Sequence, residues 1–319
     1  MPAASAIKPA RFGLAGKIFL ASTLPVALMF GVTFGVTSFQ ANRTADASIG
    51  RALLATKRAV ESLLAARTRA VAVMSALSAG VPQFRERLLT SRERANVLDQ
   101  AEEYRELIGA AWVLVADAEG ILIARTNYPD QFDIDLSNAP LVANALGGEQ
   151  TSGAWLDDVR GQMFIAVGTP LQASRTTAPQ GALVTAYEVD DSLARSIGAA
   201  TNAQVVFFML DTLNQPVVVG GTLPREDVAP ALRDSAIVTT LAADTGEGAP
   251  LALVAGGEHL IGRAGAIRSP AGDLRGGFVA FRSREAELAA FTALQRAMIL
   301  AIGLGIVLAL VSAFVLARR

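Results

Sequence analysis

The 319-residue sequence predicts an α+β protein: two tandem copies of one unit, carried on a long N-terminal helix and flanked by two transmembrane helices. Three observations lead there. Apolar residues are concentrated in one uncharged run near each end of the chain. A turn-free stretch with helical periodicity follows the first run. Beyond it, short β-rich segments recur at a nearly constant offset.

Ile18 to Asn42 is a run of 25 residues without a charge, and 297–317 is another of 21. At about 1.5 Å of rise per residue, each reaches across a hydrocarbon core roughly 30 Å thick. The first run is also longer than the apolar core of a signal peptide, so it reads as a retained anchor. The expected organisation is a cytoplasmic tail over 1–17, a first span over 18–41, a helical stalk over 42–108, a membrane-distal unit over 109–198, a membrane-proximal unit over 199–290 and a second span over 291–319. Lys8, Arg11 and Lys17 precede the first span, while Arg318 and Arg319 follow the second. Positive flanks stay in the cytoplasm. Both termini are therefore expected on the cytoplasmic side of the membrane, with the main domain outside.

That domain carries 22 basic side chains against 29 acidic ones, a balance and location that argue against a nucleic-acid partner. No cysteine is present, so disulfides contribute nothing, and a domain of roughly 250 residues is large enough to rely on its apolar core.

Residues 42–80 lack turn formers. Ile49, Leu53, Thr56, Val60, Leu63, Arg67, Ala70, Met74 and Leu77 alternate at spacings of four and three, a heptad-like stripe. It suits either a helix packed on its own domain or a helix meeting a second chain.

After Gly109 the texture changes. "AWVLVAD" and "GILIART" flank Ala118-Glu119 as a hairpin, and "GQMFIAVGTPL" and "GALVTAYEV" follow as strands. "QVVFFMLD", "QPVVVGG", "APLALVAGG", "HLIGRAGAI" and "GGFVAFR" form a second series. Gly161 aligns with Gly257 and Gly181 with Gly277, both at an offset of 96, and the hairpin residues Asp117 and Asp211 are 94 apart. Each unit therefore runs hairpin, connecting helix, three strands, and then a helix leaving the last strand.

A membrane helix, a long helix, two such PAS-like units and a returning membrane helix resemble the double Cache architecture of bacterial extracytoplasmic sensors. "VLVADAEGILIARTN", "LVANALGGEQTSGAW" and "GALVTAYEVDDSLA" are similar to Cache signature stretches. The resemblance covers roughly residues 40–290. It implies a small ligand in the membrane-distal unit, a bacterial cytoplasmic membrane with the main domain in the periplasm, and a final helix that carries a signal inward. Members of that family usually continue into a HAMP segment and an output domain, whereas this chain stops at Arg319.

Catalysis finds little to work with. His259 is the sole histidine, thiols are absent, and no nucleophile elbow, zinc-protease, P-loop or dinucleotide-binding motif occurs. The chain is not expected to be an enzyme. Asp130, Asp133 and Asp135 cluster in "YPDQFDIDLS", but without the spacing or turn glycine of an EF-hand, and they read as a solvated acidic loop. No metal and no cofactor is expected.

A small-ligand pocket in the distal unit has better candidates. Arg125 can clamp a carboxylate, Trp155 and Tyr187 can supply aromatic walls, and Asp157 can receive an amine. In the second span Ala301, Gly305, Ala309 and Ala313 recur every four residues, and Gly31 and Gly35 do so in the first. Such small residues let another membrane helix approach closely.

Two functions follow. In the first, the chain is an accessory or regulatory subunit of a larger membrane complex, of respiratory or photosynthetic type. It would act through other membrane proteins that meet its spans and its periplasmic face. In the alternative, it is an extracytoplasmic small-ligand sensor whose output lies elsewhere. The chain's end at Arg319 favours the first expectation, and the Cache resemblance favours the second.

Overall fold

The computed structural model describes residues 14–90, 94–174, 176–234, 236–243 and 250–286. Between 293 and 312 it also describes 293, 296–297, 299–301, 303–305, 307–308 and 311–312. The chain forms two compact units, Met1–Gly50 with Glu285–Arg319, and Arg51–Arg284.

Helix α1 spans Leu14–Gly80. From Leu53 to Val60 the stripe positions Leu53, Thr56 and Val60 are buried, with Lys57 beside them. The buried line then moves to Leu64, Thr68, Val71, Ser75 and Ala79. The expected positions Leu63, Arg67, Ala70, Met74 and Leu77 face outward instead. The cause is geometric. A straight helix of about 3.6 residues per turn drifts roughly 20° per heptad against a seven-residue repeat. A helix lying on β-sheets has no reason to supercoil, so its buried line leaves the heptad.

α2 (Pro82–Thr90) and α3 (Arg94–Ile108) follow, and the chain then enters the first sheet. Its strands are β1 (Trp112–Asp117), β2 (Leu122–Arg125), β3 (Thr151–Asp157), β4 (Gln162–Pro170) and β5 (Gly181–Glu188), with α4 (Pro140–Leu146) between β2 and β3. The antiparallel order is β2-β1-β5-β4-β3. α5 (Asp191–Thr201) leaves β5, capped by the Asp190 carboxylate, which accepts from the Leu193 N–H at 2.8 Å.

The second sheet repeats the plan with β6 (Gln204–Leu210), β7 (Pro216–Gly221), β8 (Pro250–Ala255), β9 (Glu258–Arg268) and β10 (Leu274–Ser283), in the order β7-β6-β10-β9-β8. α6 (Arg225–Arg233) and α7 (Ile237–Ala242) take the place of α4. The fold is α+β, with two tandem PAS-like units on a long N-terminal helix.

The repetition extends to single hydrogen bonds. The Asp117 carboxylate accepts from the N–H groups of Glu119 (3.1 Å) and Ile121 (2.8 Å), closing the β1–β2 turn. Asp211 accepts from Leu213 and Gln215, both at 2.8 Å, in the β6–β7 turn. Thr126 Oγ1 accepts from the Val113 N–H at 3.0 Å, and Thr222 Oγ1 from that of Val205 at 2.9 Å. Gly161 and Gly257, at the starts of β4 and β9, both hold positive φ (63° and 82°), which glycine adopts without a Cβ penalty.

One apolar cluster joins α1, α5 and both sheets. Val60 and Leu64 of α1 meet Met163, Ile165 and Tyr187 of the first sheet, Leu193 and Ile197 of α5, and Phe207 and Phe278 of the second. Polar contacts fix α1 against the first sheet. Ser75, fully buried, donates to Thr185 Oγ1 at 3.0 Å and accepts from the Tyr104 hydroxyl at 3.2 Å.

Among the described residues no helix is long and apolar enough to cross a membrane. Most side chains of the expected 18–41 span, together with Ala309 and Ala313, lie outside the described residues. Gly31 and Gly35 in α1, and Ala301 and Gly305 in helical backbone, are exposed. A Cβ placed on Gly31, Gly35 or Gly305 would meet no atom within 4 Å.

Ser75→Ala would leave the Thr185 and Tyr104 hydroxyls buried with one partner fewer. The expected loss is about 1–3 kcal/mol of unfolding free energy, measurable by denaturant titration.

Candidate ligand-binding site

One row of directly opposed residues crosses the first sheet: Trp112 on β1, Ala186 on β5, Ala166 on β4 and Gly153 on β3. Opposed residues share a face. Two alanines and a glycine therefore form a trough of low side-chain bulk beside the Trp112 indole, and Leu141, Val142 and Ala145 of α4 pack in the same cluster. Trp155 and Phe164 come from the next row and fill it edge-on. Their ring centroids lie 5.3 and 5.7 Å from that of Trp112. Such edge-to-face pairs match the positive edge of one ring to the negative face of another.

β2 and β3 are opposite edges of this sheet. Four strand spacings of about 4.8 Å would hold them roughly 19 Å apart if the sheet were flat. Side chains from the two edges nevertheless meet. The Arg125 guanidinium, from the end of β2, lies 5.6 Å from the Trp155 ring of β3, and 4.9 and 4.8 Å from the rings of Trp112 and Tyr128. The Tyr128 hydroxyl donates to Asp157 Oδ2 at 2.5 Å. The sheet curls, and the segment after β2 folds across its face. Residues 133–136 return along β2, where Leu122 N–H donates to Ile134 O at 2.8 Å and Asp133 N–H to Leu122 O at 2.9 Å.

Electrostatics follow from this closure. Arg125 is half-buried, and its Nε donates to Asn127 Oδ1 at 2.7 Å. Burial pushes its pKa down, opposed by the charge of Asp157. Asp157 is 7% exposed and also accepts from the Arg160 N–H at 3.2 Å. Its hydrogen bond holds the Tyr128 hydroxyl above the ordinary tyrosine pKa, reinforced by burial. The Arg160 guanidinium stacks on Tyr128 at 4.4 Å. Trp112 Nε1 is buried and has no hydrogen-bond partner among the described residues, on a side chain only 1% exposed. An orphaned donor of this kind costs about 1–3 kcal/mol.

Of the four residues expected at the pocket, Arg125, Trp155 and Asp157 gather here. Tyr187 does not. Ala186 faces the trough, so its neighbour Tyr187 turns to α1, since successive strand residues alternate faces. There the Tyr187 hydroxyl lies 2.9 Å from Thr68 Oγ1, and Arg67 covers its ring at 4.9 Å. The aromatic hydroxyl that reaches Asp157 is that of Tyr128, unforeseen because it lies in the loop beyond β2. Trp112 and Arg160 were also missed. Trp112 sits inside a run that reads as plain strand, and Arg160 in a turn.

Among the described residues no group of three or more His, Cys, Asp or Glu is placed to hold a metal. The loop carboxylates Asp130, Asp133 and Asp135 are exposed, and Asp135 accepts from the Ser137 N–H at 2.9 Å. The cluster brings together a cation among aromatic rings, a buried carboxylate and an unused N–H donor.

No family model matches the sequence, and no curated protein matches it. Solved structures similar to the chain include the ligand-binding domain of the Campylobacter jejuni chemoreceptor Tlp3 in complex with 4-methylisoleucine. It shares 17% identity over 77% of this chain and 94% of that one, with a TM-score of 0.49. The periplasmic domain of Vibrio cholerae LuxQ shares 12% identity over 72% and 99% (TM-score 0.46). The sensor domain of the V. cholerae histidine kinase DctB shares 15% over 73% and 98% (TM-score 0.43). The fold assignment rests on strand order and on the repeated turn bonds.

A tyrosine whose folded pKa is raised contributes stability that is fully present below its unfolded value of 10.0 and is lost as the pH rises through the folded value. Tyr187, raised chiefly by burial, acts in the same direction. Unfolding free energy is therefore expected to fall above about pH 10, and less steeply in Tyr128→Phe, when denaturation midpoints are compared from about pH 8 to about pH 11.

Proposed function

We propose that the chain is the extracytoplasmic small-ligand sensing part of a membrane-anchored receptor, with its ligand site at the Trp112–Arg125–Asp157 cluster. The observation that carries this reading is the buried, unpartnered Trp112 N–H beside the half-buried Arg125 guanidinium. Two donors in one cluster suit the oxygens of a small carboxylate. Asp157 offers the complementary charge, and the Tyr128 hydroxyl now occupies the position an ammonium group would take. The ligand class is thus a compact carboxylate, with an amine accommodated by exchange for Tyr128.

Anchoring rests on the two uncharged runs near the chain's ends. The alternative of an accessory subunit in a respiratory or photosynthetic complex finds no support in the cluster or in the comparisons.

Thermal melting of the full-length protein in detergent, against L-amino acids, matching carboxylic acids and matching amines, tests the reading. Carboxylate-bearing compounds are expected to raise Tm, by the equivalent of about 2.7 kcal/mol at a hundredfold excess over Kd. Arg125→Ala should abolish the shift, whereas Asp157→Asn should lose the extra gain from an amino group and keep the gain from the acid. Equal shifts from amines alone, or an undiminished response in Arg125→Ala, would show the assignment to be wrong.

A further inference from the structure

β3 carries more than the two site residues. Gly153, Trp155 and Asp157 alternate onto one face of the strand. At Gly153 that face lies against the turn between β9 and β10 of the second sheet. A Cβ on Gly153 would stand 2.5 Å from Pro270 Cδ and 2.6 Å from Pro270 N, so only a glycine permits this approach of backbone to backbone. Gly153 also belongs to the row that floors the trough, opposite Ala166. Trp155 is two residues away, roughly 6.6 Å along the strand.

The turn that meets Gly153 is stiff. Ser269 N–H donates to Asp273 O at 2.8 Å and Gly272 N–H to Ser269 O at 2.9 Å. Arg268 ties the turn down further, donating from Nη1 to Gly272 O at 3.1 Å and from Nη2 to Leu241 O of α7 at 2.9 Å. Pro270 thus sits in a turn bonded across its base, and β10 leaves that turn at Leu274. β10 is the middle strand of its sheet, hydrogen-bonded to β6 and β9, and it runs to Ser283 at the end of the compact unit 51–284. A second contact supports the same path. A Cβ on Gly276 of β10 would lie 3.1 Å from Met163 Sδ of β4.

We propose that the Gly153–Pro270 contact is a coupling joint, through which release of the Tyr128–Asp157 hydrogen bond at one end of β3 is transmitted to β10. The inference rests on the sensor reading only in taking that cluster as the input. It names the place where the two PAS-like units exchange information. The device is a backbone contact between an edge strand and a stapled turn, and no side chain of the cluster takes part in it.

Hydrogen exchange on the full-length protein in detergent tests this without any ligand, so a failure to find the ligand does not bear on it. Tyr128→Phe removes the bond to Asp157. Exchange is then expected to quicken by a factor of about three to ten over 151–157 and 274–283, the range set by one lost hydrogen bond, while 250–255 at the far edge of the second sheet stays unchanged. In the Pro270→Ala background the response over 274–283 should vanish while that over 151–157 persists. Gly153→Ala, which forces the same contact apart from the other side, should give the same result, with protection of β6 reporting that each variant is folded. An unchanged 274–283 in Tyr128→Phe, a response that survives both joint variants, or no response in either segment would each overturn the proposal.

Discussion

The unit 51–284 is organised around the burial of one face of α1. The cluster that contains Val60 and Leu64 draws on both sheets and on α5, and so makes one core of two β-sheets that share no strand pairing. Each sheet also has apolar layers of its own, such as Trp112, Leu114 and Val184 with α4 in the first, and Phe208, Val228 and Leu251 with α6 in the second. Those layers stabilise each unit separately. On the first sheet the α1 seam has one register, because the buried Ser75 hydroxyl finds Thr185 and Tyr104 only there.

α1 occupies one face of the first sheet, and α4 packs with the Trp112 cluster on the other. That face shows a deliberate lack of bulk, since Ala186, Ala166 and Gly153 lie in a row where strands usually carry β-branched residues. Trp112, Trp155 and Phe164 lean into the gap from its sides, and the curl of the sheet lets Arg125 and Tyr128 reach over from β2. The result is closed by hydrogen bonds and ring contacts that can each be exchanged for similar ones. An orphaned N–H at its centre is a standing free-energy cost that a ligand oxygen would remove. The same closure holds β3 at two points, Asp157 by Tyr128 and Gly153 close against Pro270.

Much of this was legible in the chain itself. The Asp117 and Asp211 turns, the glycines opening β4 and β9, and the strand runs between them depend on interactions within a few residues, and the repeat offsets of 94 and 96 exposed them. Arg125 at a strand end and Trp155 with Asp157 in "SGAWLDD" stood out as polar or bulky residues in apolar surroundings. Tyr187 stood out for the same reason and is elsewhere. Its character was read correctly, but the face it occupies was fixed by which neighbour, Ala186, had to lie opposite Trp112.

The sequence by itself determined the repeated unit, its hairpins, the long helix and the uncharged runs at both ends, because each is a matter of local hydrogen bonding, side-chain period or run length. Only the tertiary structure decided the rest. The phase of α1 follows the sheets it packs on, so its heptad pattern gave way after Val60. The meeting of Tyr128 with Asp157, 29 residues apart and on opposite edges, depends on how far a five-stranded sheet curls. Curl is the sum of many small twists and of what covers each face, and no short stretch of residues carries it.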